Sequence, residues 1–117
     1  MEGTFLRFYV EEGQKHQGEL LWKWLLANAN ALGVRGGSAF RAMGGFGRHH
    51  ALHENNFFEL AGNTGVEVEF IVTDDEAKQL LALLHLEKIR VFYARIPAYF
   101  GVINPDSGDS PALAAEE

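Results

Sequence analysis

The chain predicts an α+β sandwich in which one four-stranded antiparallel sheet carries two helices on one of its faces. Two stretches place apolar residues at helical spacing, and four β-rich runs are distributed around them. The resulting order is strand, helix, strand, strand, helix, strand, the βαββαβ pattern of a split βαβ unit.

Phe5 to Val10 is a short aromatic and β-branched run, bounded by the polar stretch EEGQKHQG, and reads as the first strand. After Gly18, Leu20, Leu21, Trp24, Leu25, Ala31 and Leu32 fall on one helical stripe, and Gly33 is placed to end that helix. Trp22 and Leu26 lie off the stripe, which marks them either as a partner surface or as residues lying under a loop. Ala39 to Met43 reads as the second strand. In the third, Val66 to Val72, the apolar residues Val66, Val68, Phe70 and Val72 alternate with Glu67, Glu69 and Ile71. Thr73 followed by Glu76 is a capping-box pattern, so a second helix with the stripe Ala77, Leu80, Leu81 and Leu84 starts at once and ends near His85 or Leu86. Ile89 to Phe100 is the last β-rich run, in which Pro97 is allowed only if the strand lies at an edge or ends near there. Residues 1–100 are expected to form one domain, and the acidic stretch 101–117 to be a disordered tail.

The sheet face away from the helices is expected to show Arg7, Arg41, Glu67 and Glu69 among aromatic residues such as Phe5 and Tyr9. That mixture suits either a solvent face or a subunit interface with paired charges, and the aromatic share favours the interface. A chain of 117 residues buries only about two thirds of the surface its unfolded form exposes, so association with copies of itself is a useful source of further burial. The net charge of −6 argues against nucleic-acid binding, which draws its affinity from a basic face. The chain contains no cysteine, which excludes disulfides and thiolate chemistry and fits a reducing cytoplasm. No apolar run approaches the length of a membrane span, and the start of the chain lacks the basic leader and apolar region of a signal peptide.

The most informative stretch for function is Ser38 to His53, where a strand empties into the glycine-rich run Gly44, Gly45, Phe46, Gly47 and then into histidines. These glycines permit positive φ and close approach, and Arg41 and Arg48 bring cations. The run suits an anion cradle built from backbone N–H groups, or equally a sharp bend with Phe46 packed as a plug. It matches neither of the glycine-rich nucleotide signatures. About twenty residues, 44–65, separate the second and third strands, too many for a tight hairpin. Leu52 to Leu60 is a candidate extension of the sheet. His49, His50 and His53 supply three imidazoles to a divalent transition metal if the loop closes around an ion, or are solvated loop residues. Glu11, Glu12 and His16 offer an acid and base pair, or local hydrogen bonds; no nucleophile accompanies them, and the reading is that the protein is not an enzyme.

The strand LRFYV, the pattern E-x-x-x-H-x-G at Glu12, His16 and Gly18, a helix ending in Leu32-Gly33, the run FRAMGGFG, the histidine at His53 and the segment VEVEFIVTDDE together resemble the DUF190 family, also called UPF0166, of the PII-like signalling proteins. The resemblance spans residues 5–86. It implies a ferredoxin-like, PII-like monomer, a homotrimer, and a flexible loop between the second and third strands that responds to a ligand or contacts a protein target. PII relatives bind adenine nucleotides in clefts between subunits. Position therefore makes Glu12, Arg41, Gly44, Gly45, Phe46, Gly47 and His53 the ligand-binding candidates here. The glycine-rich basic loop that grips phosphates in PII proteins corresponds to the glycine-free His85-Leu86-Glu87-Lys88, and the long loop carries Phe57 and Phe58 where PII proteins carry a modifiable tyrosine. The resemblance thus points to a cytoplasmic signalling protein that binds a small anionic ligand and regulates a protein partner. The alternative is a trimeric metal-binding protein using His49, His50 and His53.

Overall fold

The computed structural model of the chain describes residues 1–46, 53–54 and 65–106. Its central element is β1 (Glu2–Glu11), longer at both ends than the aromatic run alone indicates. The polar stretch after it, expected to be a loop, is a small hairpin of β2 (Lys15–His16) and β3 (Glu19–Leu20). Gln17 (φ 52°) and Gly18 (φ 82°) both take positive φ at its tip, the requirement of a type I′ turn, which explains the glycine in the E-x-x-x-H-x-G pattern. Helix α1 (Leu21–Ala31) follows directly. No side chain caps its start; instead the Leu21 N–H donates to the Gln14 carbonyl at 2.8 Å, so the hairpin satisfies a donor that a capping residue would otherwise take.

Leu21, Trp24, Leu25 and Ala29 are the buried residues of α1, whereas Ala31 and Leu32 are exposed, against expectation. The reason is the helix end. Gly33 turns the chain at φ 88°, its N–H bonds to Asn30 O, and Val34 N–H bonds to Ala29 O, a Schellman closure that puts Val34 into the core where the next helical turn would have been. Trp22 and Leu26 are half-buried and pack against the core rather than standing clear of it.

The second strand of the sheet, β4 (Gly37–Arg41), begins and ends two residues earlier than expected. Beyond it, β5 (Gly44–Gly45) pairs with β6 (His53–Glu54), and β7 (Gly65–Val72) returns to the sheet. Helix α2 (Asp74–Leu86) starts at a complete capping box: Thr73 Oγ1 accepts from Glu76 N–H, and Glu76 Oε1 accepts from Thr73 N–H. The last strand, β8 (Phe92–Tyr99), begins three residues later than the β-rich pattern indicates.

The main sheet runs β4-β7-β1-β8, every neighbour antiparallel, so β1 and β7 are central and Pro97 lies on an edge strand. Register decides the faces. Val66, Val68, Phe70 and Val72 pair with Val10, Phe8, Leu6 and Thr4 on the side that meets Leu25 and Leu80, and all of these residues are buried. Phe8 and Phe70 meet edge to face at 6.2 Å. Opposite Phe70 stands Gly37, where a Cβ would lie 2.4 Å from the phenyl ring, so only glycine admits that ring.

The other face carries Phe5, Arg7, Tyr9, Glu67, Glu69 and Ile71, as expected, with Phe92 and Ile96 of β8 beside them. Arg41 is a correction. It pairs with Val66 and therefore lies on the helix side at the sheet's end, while Phe40, opposite Glu67, takes the open face. The two-residue shift of the strand preserves the alternation; it is the sequence pairing of Arg41 with the acidic face that fails, because the β4 register was not readable from so short a strand. On the open face Arg7 Nε lies 2.8 Å from Glu69 Oε2 out of hydrogen-bonding alignment, a Coulombic contact, while its Nη1 donates to the Tyr9 hydroxyl at 3.4 Å. That hydrogen bond raises the Arg7 pKa against the opposing effect of burial, and the charges of Glu69 and Glu67 add to the rise. Residues 101–106 are exposed, with Asp106 N–H bonded to Asn104 Oδ1; residues 107–117 of the expected tail lie outside the described residues.

Candidate functional site

All the connections that the sequence marks for function gather at one end of the sheet. Strand β1 ends there at Glu11, β4 ends there at Arg41, β7 begins there at Gly65, and α2 delivers its C-terminus to the same end, since Tyr9 pairs with Phe92 at the start of β8. Ala42 N–H donates to Gly65 O at 2.7 Å and closes the base of the long connection.

Glu12 and Arg41 meet at this base. Arg41 Nε donates to Glu12 Oε1 at 2.8 Å and Nη2 reaches the same oxygen. The Arg41 side chain is 50% exposed and the Glu12 side chain 21%, so the pair sits at the rim of the domain. Two residues beyond Ala42, the glycine pair is extended rather than sharply bent: Gly44 is opposite Glu54 and Gly45 opposite His53 in the short hairpin β5–β6. A Cβ on Gly45 would touch nothing within 4 Å, leaving its backbone open to approach. Phe46 is 63% exposed and Met43 86%, so neither is buried as a plug. Glu12, Arg41, Gly44, Gly45, Phe46 and the His53 backbone are therefore brought to one end. Gly47, Arg48, His49, His50, Phe57, Phe58 and all of the expected extension Leu52 to Leu60 except His53 and Glu54 lie outside the described residues.

The acid and base pair that Glu12 and His16 could have offered is not formed. His16 turns away from Glu12 to Glu87, with Nε2 and Oε1 2.9 Å apart, and its ring stacks edge-on against Trp24 at 5.2 Å. Nor are the hydrogen bonds local, as the alternative had them: Glu12 accepts from Arg41, 29 residues on, and His16 meets Glu87, 71 residues on. Glu87 is the residue that sequence reasoning missed. It caps α2, and the short connection behind it closes by a second Schellman motif: Lys88 N–H to His85 O, Ile89 N–H to Leu84 O, with Lys88 at φ 59° where a glycine is usual. His16 thus fastens the β2–β3 hairpin to this connection. The one available signal was the histidine of the E-x-x-x-H-x-G pattern, whose partner lies 71 residues away.

Among the described residues no group of three or more His, Asp or Glu side chains is arranged to hold a metal ion. No helix among them is long and apolar enough to cross a membrane. A shallow depression of about 430 Å³ lies at the opposite end, where Lys78, Arg95, Glu2 and Asp74 line the gap between α2 and β8.

The DUF190 family model, described as "Uncharacterized ACR, COG1993", matches residues 3–91. The chain belongs to the DUF190 family. Among DUF190 relatives it is 29% identical over 96 residues to the UPF0166 protein of Aquifex aeolicus, covering 75% of this chain and 91% of that one. Among solved structures it is similar to CPII, a nitrogen regulatory PII-like protein from Thiomonas intermedia K12, bound to ADP, AMP and bicarbonate, with a TM-score of 0.55 at 19% identity over 84% of this chain and 89% of that one. A second structure of CPII, bound to ADP and bicarbonate, gives a TM-score of 0.53 over the same shares of each chain, again at 19% identity. The DUF190 chain therefore has the ferredoxin-like fold of PII-like proteins, as the order of its elements and the resemblance both indicated.

Proposed function

We propose that this DUF190 protein is a PII-like signalling protein that binds a small anionic ligand, an adenine nucleotide in the first instance, at the loop end of its sheet. The observation that carries the reading is the convergence there of Arg41, the extended Gly44-Gly45 pair with open space beside Gly45, and the base of the long connection. A guanidinium supplies charge and two aligned donors, and bare backbone lets a ligand approach without side chains in the way. The ADP bound to CPII, a protein of the same fold, supports the choice of ligand class. Glu12, Phe46, Gly47 and His53 are assigned to the same site by position.

The cleft is completed by a neighbouring copy in a homotrimer, which associates through the open sheet face. Phe92 (72% exposed), Phe40 (52%), Ile96 (46%) and Ile71 (42%) form an apolar share of that face that a lone domain would leave in water. Ligand binding favours one state of the 44–65 loop, and the loop, which follows exposed Met43 and carries exposed Phe46, presents that state to a protein partner in the cytoplasm. No catalytic step is assigned.

Calorimetric titration with ADP tests the reading. Binding is expected in the wild type and a loss of tenfold or more in Arg41→Ala, since an exposed cation's charge-assisted bonds contribute about 1.5–3 kcal/mol. Absence of ADP binding, or an unchanged affinity in Arg41→Ala, would overturn it.

A further inference from the structure

Arg41 is the cation assigned to the ligand, and one edge of its guanidinium is already taken by an anion of the same chain. Nε and Nη2, the pair of donors that an incoming carboxylate or phosphate group would use in a two-point contact, both converge on Glu12 Oε1. We propose that Glu12 is an internal competitor for the ligand: an oxyanion engages this edge of Arg41 only after the Glu12 carboxylate has left it. The inference rests on the reading of Arg41 above and adds to it a regulation of the same site.

Three features support competition over a purely structural tie. Glu12 sits on the turn between β1 and β2, whose backbone is held by Gln14 N–H to Glu11 O at 3.1 Å, so its carboxylate can leave by side-chain rotation with no change in the main chain. The pair is at the rim, with the Arg41 side chain half exposed, and an exposed ion pair is weak enough to exchange with a solute anion. Arg41 also immediately precedes Ala42, whose N–H closes the loop base on Gly65, so replacing Glu12 by an external anion transfers the tether of that base from the β1–β2 turn to the ligand. A carboxylate displaced but still nearby repels the ligand's charge, and Glu12 thereby raises the concentration at which the site fills.

The test follows the Arg41 Nε–H resonance of isotopically labelled full-length protein during titration with inorganic phosphate, with Arg41→Lys identifying the signal. In Glu12→Gln the resonance is expected to shift at phosphate concentrations about fivefold lower than in the wild type, the factor that an exposed ion pair of about 1 kcal/mol represents. Glu12→Ala, with no amide to donate or accept, is expected to follow Glu12→Gln. Equal or weaker phosphate affinity in both variants, or an Arg41 signal that phosphate does not move in any of them, would overturn the proposal. Phosphate is read directly at Arg41, so the outcome is separate from the ADP titration. Failure of ADP binding with the fivefold gain intact removes the nucleotide and leaves the competition, and ADP binding without the gain does the reverse.

Discussion

At the scale of single residues, two helix ends solve one problem with different side chains. Both α1 and α2 close by Schellman motifs that need a left-handed residue; Gly33 fills the position after α1, and Lys88 fills it after α2 at φ 59°. The left-handed conformation costs an L-residue about 1–2 kcal/mol, and glycine's greater freedom in the unfolded chain returns about 0.5–1 kcal/mol of that. Lys88→Gly is therefore expected to stabilise the fold by about 0.5–1 kcal/mol, and Gly33→Ala, whose Cβ would meet nothing within 4 Å, to destabilise it by a similar amount through conformation alone. Urea unfolding midpoints of the two variants check both signs; a destabilised Lys88→Gly would mean that the lysine side chain makes contacts worth more than the strain. Neither site was distinguishable in the sequence beyond Gly33 itself, because a lysine in left-handed backbone leaves no compositional trace.

At the scale of elements, β8 presents the clearest liability. It is an edge strand of eight residues with Phe92, Tyr93, Ile96 and Tyr99 all substantially exposed, and its outer side has no partner strand among the described residues. Such an edge is a template for strand addition. Pro97 is compatible with this strand where its missing donor falls on the unpaired side, which interrupts the row of donors that another strand would need. Pro97→Thr is expected to change monomer stability by less than about 1 kcal/mol while increasing concentration-dependent association. Light scattering during incubation at raised temperature checks it; unchanged scattering would show that protection comes from elsewhere. That Pro97 confines its strand to an edge or to an end nearby was legible in the sequence, because proline's missing N–H is a local property, and the sheet order chose the edge. The β2–β3 hairpin was not legible: four paired residues among polar neighbours carry no alternation, and only the turn at Gln17 and Gly18 defines them.

At the scale of the whole molecule, the sheet has one face closed by helices and one that no described element covers. Ile96 sits on the open face opposite Phe5 and is 46% exposed, so Ile96→Glu costs the isolated fold little, within about 0.5 kcal/mol. In a trimer packed through that face each copy would bury an uncompensated carboxylate, and dissociation is the expected result. Sedimentation equilibrium at micromolar concentration is expected to show a trimer for the wild type and a 13.0 kDa species for Ile96→Glu. A trimer that survives the charge would place the interface on another surface. The Arg7–Glu69 contact in the centre of this face aligns two neighbouring strands within one sheet, so its charges arrive at any interface already paired.

The order of the main elements, the alternation of β7 and the capping box of α2 were determined by the sequence alone, because each is a local or short-period pattern that needs no partner to be recognised. Tertiary structure decided what depends on register and on distant partners. It turned Arg41 to the helix side and onto Glu12, drew His16 to Glu87 across 71 residues, and stretched Gly44 and Gly45 into a hairpin with His53 and Glu54. Glycine permits both a bend and an extended strand at no steric cost, so only the pairing across the loop selects between them. An ion pair likewise leaves no signature in sequence spacing when its members are joined by the packing of a whole sheet.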